Sequence, residues 1–125
     1  MVFDDVKKED LFLKGLVEYN SKNFYDAHEY WEDLWTNYYF KDRLLIQGLI
    51  QVSVGYFHIT NLNLKGAKGL FIKCLPKLEK FIDSNGRIKN LSELISTVKN
   101  AKNCVENIEK SSDFNWDFTI KLIAK

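Results

Sequence analysis

Two polar patterns in the sequence place groups able to do chemistry on single helix faces. His28 and Glu32 are four residues apart, which is about one helical turn, so their side chains lie on the same face. Gln47, Gln51 and His58 follow one another at intervals of four and seven residues, about one and two turns, along an otherwise apolar segment. Because a buried polar group without a partner costs roughly 1–3 kcal/mol, this line is expected to face His28 and Glu32. The sequence therefore predicts a polar cluster between two helices.

Three interpretations of this predicted cluster remain open. In the first, it is a structural network in which Glu32 accepts hydrogen bonds from the glutamine amides and the histidines. In the second, the imidazoles and the carboxylate bind a small polar molecule or act as acid and base, with Trp35 as a pocket wall. In the third, His28, Glu32 and His58 hold a divalent metal, because two histidines and one carboxylate suit zinc and non-haem iron. The HEYWE string lacks the second histidine of a metalloprotease motif.

Size and charge exclude several classes of protein. A chain of 125 residues makes one domain, predicted to cover residues 1–125. Eighteen basic and seventeen acidic side chains give a formal charge of +1, so neither nucleic acid nor an anionic membrane is an expected partner. Cys74 and Cys104 form no CxxC pair, and the charged start of the chain does not resemble a secretion signal. We therefore expect a cytoplasmic protein with reduced thiols.

Apolar residues recur every three or four positions through most of the chain, which predicts helices. The expected helices cover about residues 8–19, 24–38, 42–60 and 64–82, and a fifth runs from near Asn90 to about Ser111. Asn90 and Glu93 have the spacing of a capping box at the start of the fifth helix. Residues 114–122 alternate between apolar and polar, so they are expected to form an extended arm over the helices.

A repeat of 40 residues relates the first two pairs of helices. The matching positions are Gly15 with Gly55, Asn23 with Asn63, Ala27 with Ala67, and Trp31 with Phe71. This predicts two hairpins resembling those of tetratricopeptide proteins, although such hairpins repeat at about 34 residues and stack in longer arrays. The expected fold is all-α: a single five-helix bundle of two such hairpins and a fifth helix over residues 8–110, with a C-terminal arm over 111–125.

Several of these strings together resemble one protein family. They are NFYDAHEYWEDLW at residues 23–35, QGLIQ at 47–51, YFH at 56–58, and Asn63 with Gly66 and Ala67. They resemble the domain of unknown function 309 family over about residues 11–94. The resemblance implies a small all-helical fold, and its recurring polar positions correspond to His28, Glu29, Glu32, Gln47, Gln51 and His58. It adds Glu29, which helical geometry alone directs outward. It implies no activity.

The expected function is therefore that of a small helical protein with a His/Glu/Gln site for a small polar ligand or a metal. The alternative is a helical module that docks a protein partner and uses the polar network only for structure. The sequence indicates neither a reaction nor an oligomeric state, and a divalent metal is the one cofactor that it suggests.

Overall fold

The computed structural model describes residues 2–125, with side chains from residue 4 onward. The five helices are α1 (Val2–Asn20), α2 (Phe24–Asn37), α3 (Arg43–Thr60), α4 (Leu64–Glu79) and α5 (Leu91–Asn107), and a short 3-10 helix follows at Ser111–Asp113. The described chain contains no strand, and its extended backbone makes one isolated antiparallel bridge between Ile88 and Ala124. The predicted all-α bundle of five helices is confirmed.

Each helix packs mainly on the next helix along the chain. α3 contacts both α2 and α4, and its buried residues lie on more than one side of the helix axis. Such a helix cannot face water on a wide surface, which agrees with its nearly continuous apolar sequence. α2 in contrast buries only one stripe, formed by Phe24, Ala27, Trp31 and Leu34. The other side of α2 is therefore available for polar groups.

The two turns of the 40-residue repeat have the same backbone geometry. Lys22 and Leu62 are the non-glycine residues with positive φ in the described chain, at 62° and 60°. The Asn23 amide donates to the Glu18 carbonyl at 2.9 Å, and the Asn63 amide donates to the His58 carbonyl at 2.8 Å. Both patterns are those of a Schellman turn, which ends a helix with one left-handed residue.

The packing within the two hairpins is also repeated. A β-carbon built at Gly15 would overlap the indole of Trp31, and one built at Gly55 would lie 2.6 Å from the Phe71 ring. In each hairpin a glycine of the first helix thus makes room for a large ring of the second. The further likeness to tetratricopeptide hairpins stays a prediction.

Some helix ends differ from the prediction. α1 begins at Val2 rather than near residue 8, although its apolar periodicity starts only near Leu11. Asp4 and Asp5 lie in its first turn, where negative charge favours a helix N-terminus. The capping box predicted at Asn90 is wrong, because this side chain makes no cap hydrogen bond.

The side-chain amide group of Asn90 instead binds the backbone of the C-terminal arm. It donates to the Lys121 carbonyl at 2.8 Å and accepts from the Ile123 amide at 3.0 Å. On the other side of the arm, the Asn20 side chain donates to the Leu122 carbonyl at 2.9 Å and accepts from its amide at 2.8 Å. Two asparagine side chains therefore satisfy backbone groups that a neighbouring strand would satisfy in a sheet.

The arm lies over the bundle, as predicted, but it is not one continuous extended segment. A turn interrupts it near Trp116, whose ring stacks on Phe24 with 6.4 Å between the centroids. The Tyr56 hydroxyl donates to the Phe118 carbonyl at 2.7 Å. The arm thus covers the aromatic part of the core where α2 and α3 meet.

Candidate functional site

Two contacts fix how α2 lies along α3. The Tyr25 ring, near the start of α2, lies 5.3 Å from Phe57, near the end of α3. The Arg43 guanidinium, at the start of α3, lies 4.5 Å from the centre of the Trp35 ring, near the end of α2. The two helices are therefore antiparallel, and His28 lies opposite the middle of α3.

His28 is held by groups of its own helix. Its Nδ1 lies 2.5 Å from the Tyr25 carbonyl oxygen, which can only accept, so Nδ1 carries a hydrogen. Its Nε2 lies 3.4 Å from Glu32 Oε2. The His28 side chain is 18% exposed and that of Glu32 is 57% exposed. The imidazole is thus fixed on both sides, whereas the Glu32 carboxylate remains open to solvent or to a ligand.

Three buried side-chain atoms of α3 lack a hydrogen-bond partner among the described residues: Arg43 Nε at the start of the helix, and Gln51 Oε1 and His58 Nδ1 further along it. Gln51 and His58 are seven residues apart, which places them on one helix face about two turns from each other. Because native proteins pair the large majority of buried polar atoms, two unpaired atoms on one face are unusual.

The other predicted site residues, Glu29, Trp35 and Gln47, supply no hydrogen bond to Gln51 Oε1 or His58 Nδ1. The exposed Glu29 accepts a hydrogen bond from the Tyr25 hydroxyl, and this bond and the negative charge of Glu29 raise the pKa of Tyr25. The Trp35 carbonyl accepts from Arg43 Nη2 at 2.6 Å, so Trp35 helps to fix the start of α3. Gln47 is half-buried on α3.

The described residues do not form the complete cluster that the spacing predicts. His28 and Glu32 are joined, but no hydrogen bond or ion pair links either of them to Gln51 or His58. A network centred on Glu32 is therefore absent from the described chain, because both ring nitrogens of His28 face groups of α2.

The same arrangement bears on the predicted metal site. No three His, Cys, Asp or Glu side chains from the described part of the chain are grouped so that they could hold a metal ion. His28, Glu32 and His58 thus do not form the expected three-ligand set, and a divalent metal receives no support from this geometry.

An open groove of about 820 Å³ runs along the exposed side of α2. Its acidic lining residues are Glu18, Asp26, Glu29, Glu32 and Asp33, and His28 also lines it. Asp26 and Asp33 were not among the predicted site residues, because the spacing that relates His28 to Glu32 does not include them. The signal that indicates them is the absence of lysine and arginine between residues 24 and 37.

Comparison with known proteins finds a match to one protein family. Residues 12–70 match the family described as Domain of unknown function (DUF309). The resemblance predicted from the sequence is confirmed over this segment, which includes all seven predicted site residues. No curated protein and no solved structure matches the chain significantly.

In the described chain, every helix is too short or too polar to cross a lipid bilayer.

Proposed function

We propose that the chain binds a small polar molecule on the side where α2 and α3 meet. The observation that carries this proposal is the pair of unpartnered buried atoms, Gln51 Oε1 and His58 Nδ1. A bound molecule would supply the hydrogen bonds that the protein leaves unmade, at a cost of roughly 1–3 kcal/mol per group. Functional sites often retain such unpaired polar groups in the unliganded protein, at the expense of stability.

The chemistry of these atoms defines the class of ligand. An amide oxygen only accepts hydrogen bonds, so the ligand must present a donor to Gln51. The half-exposed Glu32 carboxylate likewise only accepts, and it lies with Asp26 and Asp33 on a helix without lysine or arginine. A small organic amine, which combines N–H donors with positive charge, suits this surface best.

NMR titration of the protein with putrescine tests this proposal. Tetramethylammonium is the matched control, because it carries a positive charge but no N–H donor. We expect putrescine at millimolar concentration to shift the side-chain amide signals of Gln51, and tetramethylammonium to leave them unchanged. Gln51→Leu should weaken putrescine binding at least about tenfold, since a hydrogen bond to a charged donor is worth about 1.5–3 kcal/mol.

The stability of the same variant, without added amine, distinguishes a ligand-binding role of Gln51 from a purely structural role. If Gln51 serves a ligand, Gln51→Leu removes an unpaired polar atom and should raise the free energy of unfolding by about 1 kcal/mol. Gln47→Leu, on the same helix line but without an unpartnered buried atom, is the control and should change stability less. A marked destabilisation by Gln51→Leu, together with no response to putrescine, would refute the proposal.

A further inference from the structure

The second helices of the two hairpins differ sharply in charge. α2 contains four acidic residues and no lysine or arginine, whereas α4 contains four lysines and one glutamate. The whole chain has a formal charge of only +1, yet α2 and α4 each carry an excess of one sign. This separation of charge shares Asp26 and Asp33 with the amine-binding surface proposed above, but it does not depend on Gln51 or His58.

The acidic face of α2, defined here by Asp26, Glu29 and Asp33, lies opposite the buried stripe of this helix. All three side chains are exposed. The one ion pair of α2 in the described chain is that of Glu32 with His28, so no cation neutralises the acidic face. Tyr25 and Tyr30 are also exposed on this helix, by 48% and 36%.

The basic face of α4, defined here by Lys65, Lys68 and Lys73, is its counterpart in the second hairpin. These side chains are exposed, and none forms an ion pair with a described carboxylate. Ile72 lies among them and is 47% exposed. A β-carbon at Gly69 would meet no atom within 4 Å, so another helix can approach this face closely.

We propose that the occupant of the acidic face is the basic face of a second copy of this chain. The two faces carry opposite charge on helices of similar length, 14 and 16 residues. Each also exposes apolar side chains that such a contact would bury. In a twofold dimer both pairs of faces meet, because a contact from α2 to α4 in one direction implies the same contact in the other.

Charge complementarity makes this association dependent on salt. A single exposed ion pair contributes little, so several pairs must act together with the tyrosine and isoleucine surface that the contact would bury. Raising NaCl from about 20 mM to about 500 mM shortens the screening length from about 20 Å to about 4 Å. The dimer should therefore dissociate as salt is added.

Sedimentation velocity of the full chain tests the proposal, with two charge-reversed variants. One carries Asp26→Lys and Asp33→Lys, and the other carries Lys65→Glu and Lys73→Glu. Each variant alone has two faces of like charge and should associate at least about tenfold more weakly than the parent. An equimolar mixture pairs a basic α2 with an acidic α4 and an acidic α2 with a basic α4, so the dimer should return.

Glu93→Lys with Glu109→Lys is the control for the Asp26/Asp33 variant, because it makes the same change in net charge on exposed residues elsewhere. This variant should dimerise like the parent. A monomer near 14.7 kDa at about 200 µM protein in low salt would overturn the proposal. So would a dimer that persists in both reversed variants, or a mixture of the two that stays monomeric although circular dichroism shows both to be folded.

Discussion

Gly15 lies so close to the indole of Trp31 that the space of a β-carbon is already occupied by the ring. The ring has little freedom to move away, because Trp31 Nε1 donates to the Phe12 carbonyl at 3.0 Å and its side chain is fully buried. This contact sets the distance between α1 and α2, and hence the position of the whole α2 surface.

Gly15→Ala should therefore destabilise the protein. Forcing an extra methyl group into a packed core costs about 1–3 kcal/mol, and we expect a loss near 3 kcal/mol in chemical denaturation. Gly69→Ala is the control, because it lies in a helix with open space around it and should gain about 0.5–1 kcal/mol. Equal effects of the two substitutions would contradict this account of the packing.

Two buried tyrosines should respond in opposite ways to removal of the hydroxyl group. The Tyr19 hydroxyl has no hydrogen-bond partner among the described residues, and burial raises its pKa well above the ordinary value. Tyr19→Phe should thus increase the free energy of unfolding by about 1 kcal/mol. Tyr56→Phe should decrease it by about 1–1.5 kcal/mol, because the bond to the Phe118 carbonyl is lost. A loss of stability in Tyr19→Phe would show that this hydroxyl has a partner.

The left-handed residue of the second turn offers a stabilising substitution. Leu62 has φ of 60° and is 83% exposed, so replacing it relieves backbone strain and removes few contacts. Leu62→Gly should raise the unfolding free energy by about 0.5–1 kcal/mol. Asn61→Gly, where φ is −98°, should not stabilise. Thermal melts of both variants beside the parent measure the difference.

The exposed carboxylate of Glu32 should contribute little to folding. Its pairing with His28 links positions one turn apart on a surface helix, and such pairs are worth about 0.3–0.5 kcal/mol. Glu32→Ala is therefore expected to lower the unfolding free energy by less than about 1 kcal/mol. If denaturant titration shows a loss of unfolding free energy above about 3 kcal/mol, Glu32 instead belongs to a buried structural network.

The two cysteines should differ in reactivity. Burial raises the pKa of the Cys74 thiol to about 12, and the residue is fully buried, whereas Cys104 is half-buried. The thiolate is the reactive form, so iodoacetamide at pH 8 should label Cys104 much faster than Cys74. Peptide mapping by mass spectrometry measures both rates. In denaturant the two thiols should react alike, and equal labelling of the native protein would contradict the burial of Cys74.

Much of the fold could be predicted because it depends on local patterns. Helical periodicity located all five helices, and the repeat relating Gly15 to Gly55 and Trp31 to Phe71 corresponds to shared packing. The role of Asn90 could not be predicted in this way. Its amide could cap α5 or bind the arm, and only the position of a segment about thirty residues later decides between these uses.

The candidate site was harder to predict for a related reason. Spacing within one helix correctly placed His28 beside Glu32. It could not show whether side chains from two helices reach each other, because this depends on how the helices are shifted along their axes. The Tyr25 contact with Phe57 sets that shift, and a sequence pattern contains no such information.

The asparagine contacts of the arm imply an order of events in folding. Asn20 and Leu122 are 102 positions apart, whereas the helix pairs join segments that are neighbours in sequence. Contacts between neighbouring segments form early, and closing a long loop is slower and entropically costly. We therefore expect the hairpins to assemble first and the arm to close last. Until it closes, Phe24 and Tyr56 remain uncovered, and during that interval the chain is most prone to aggregate.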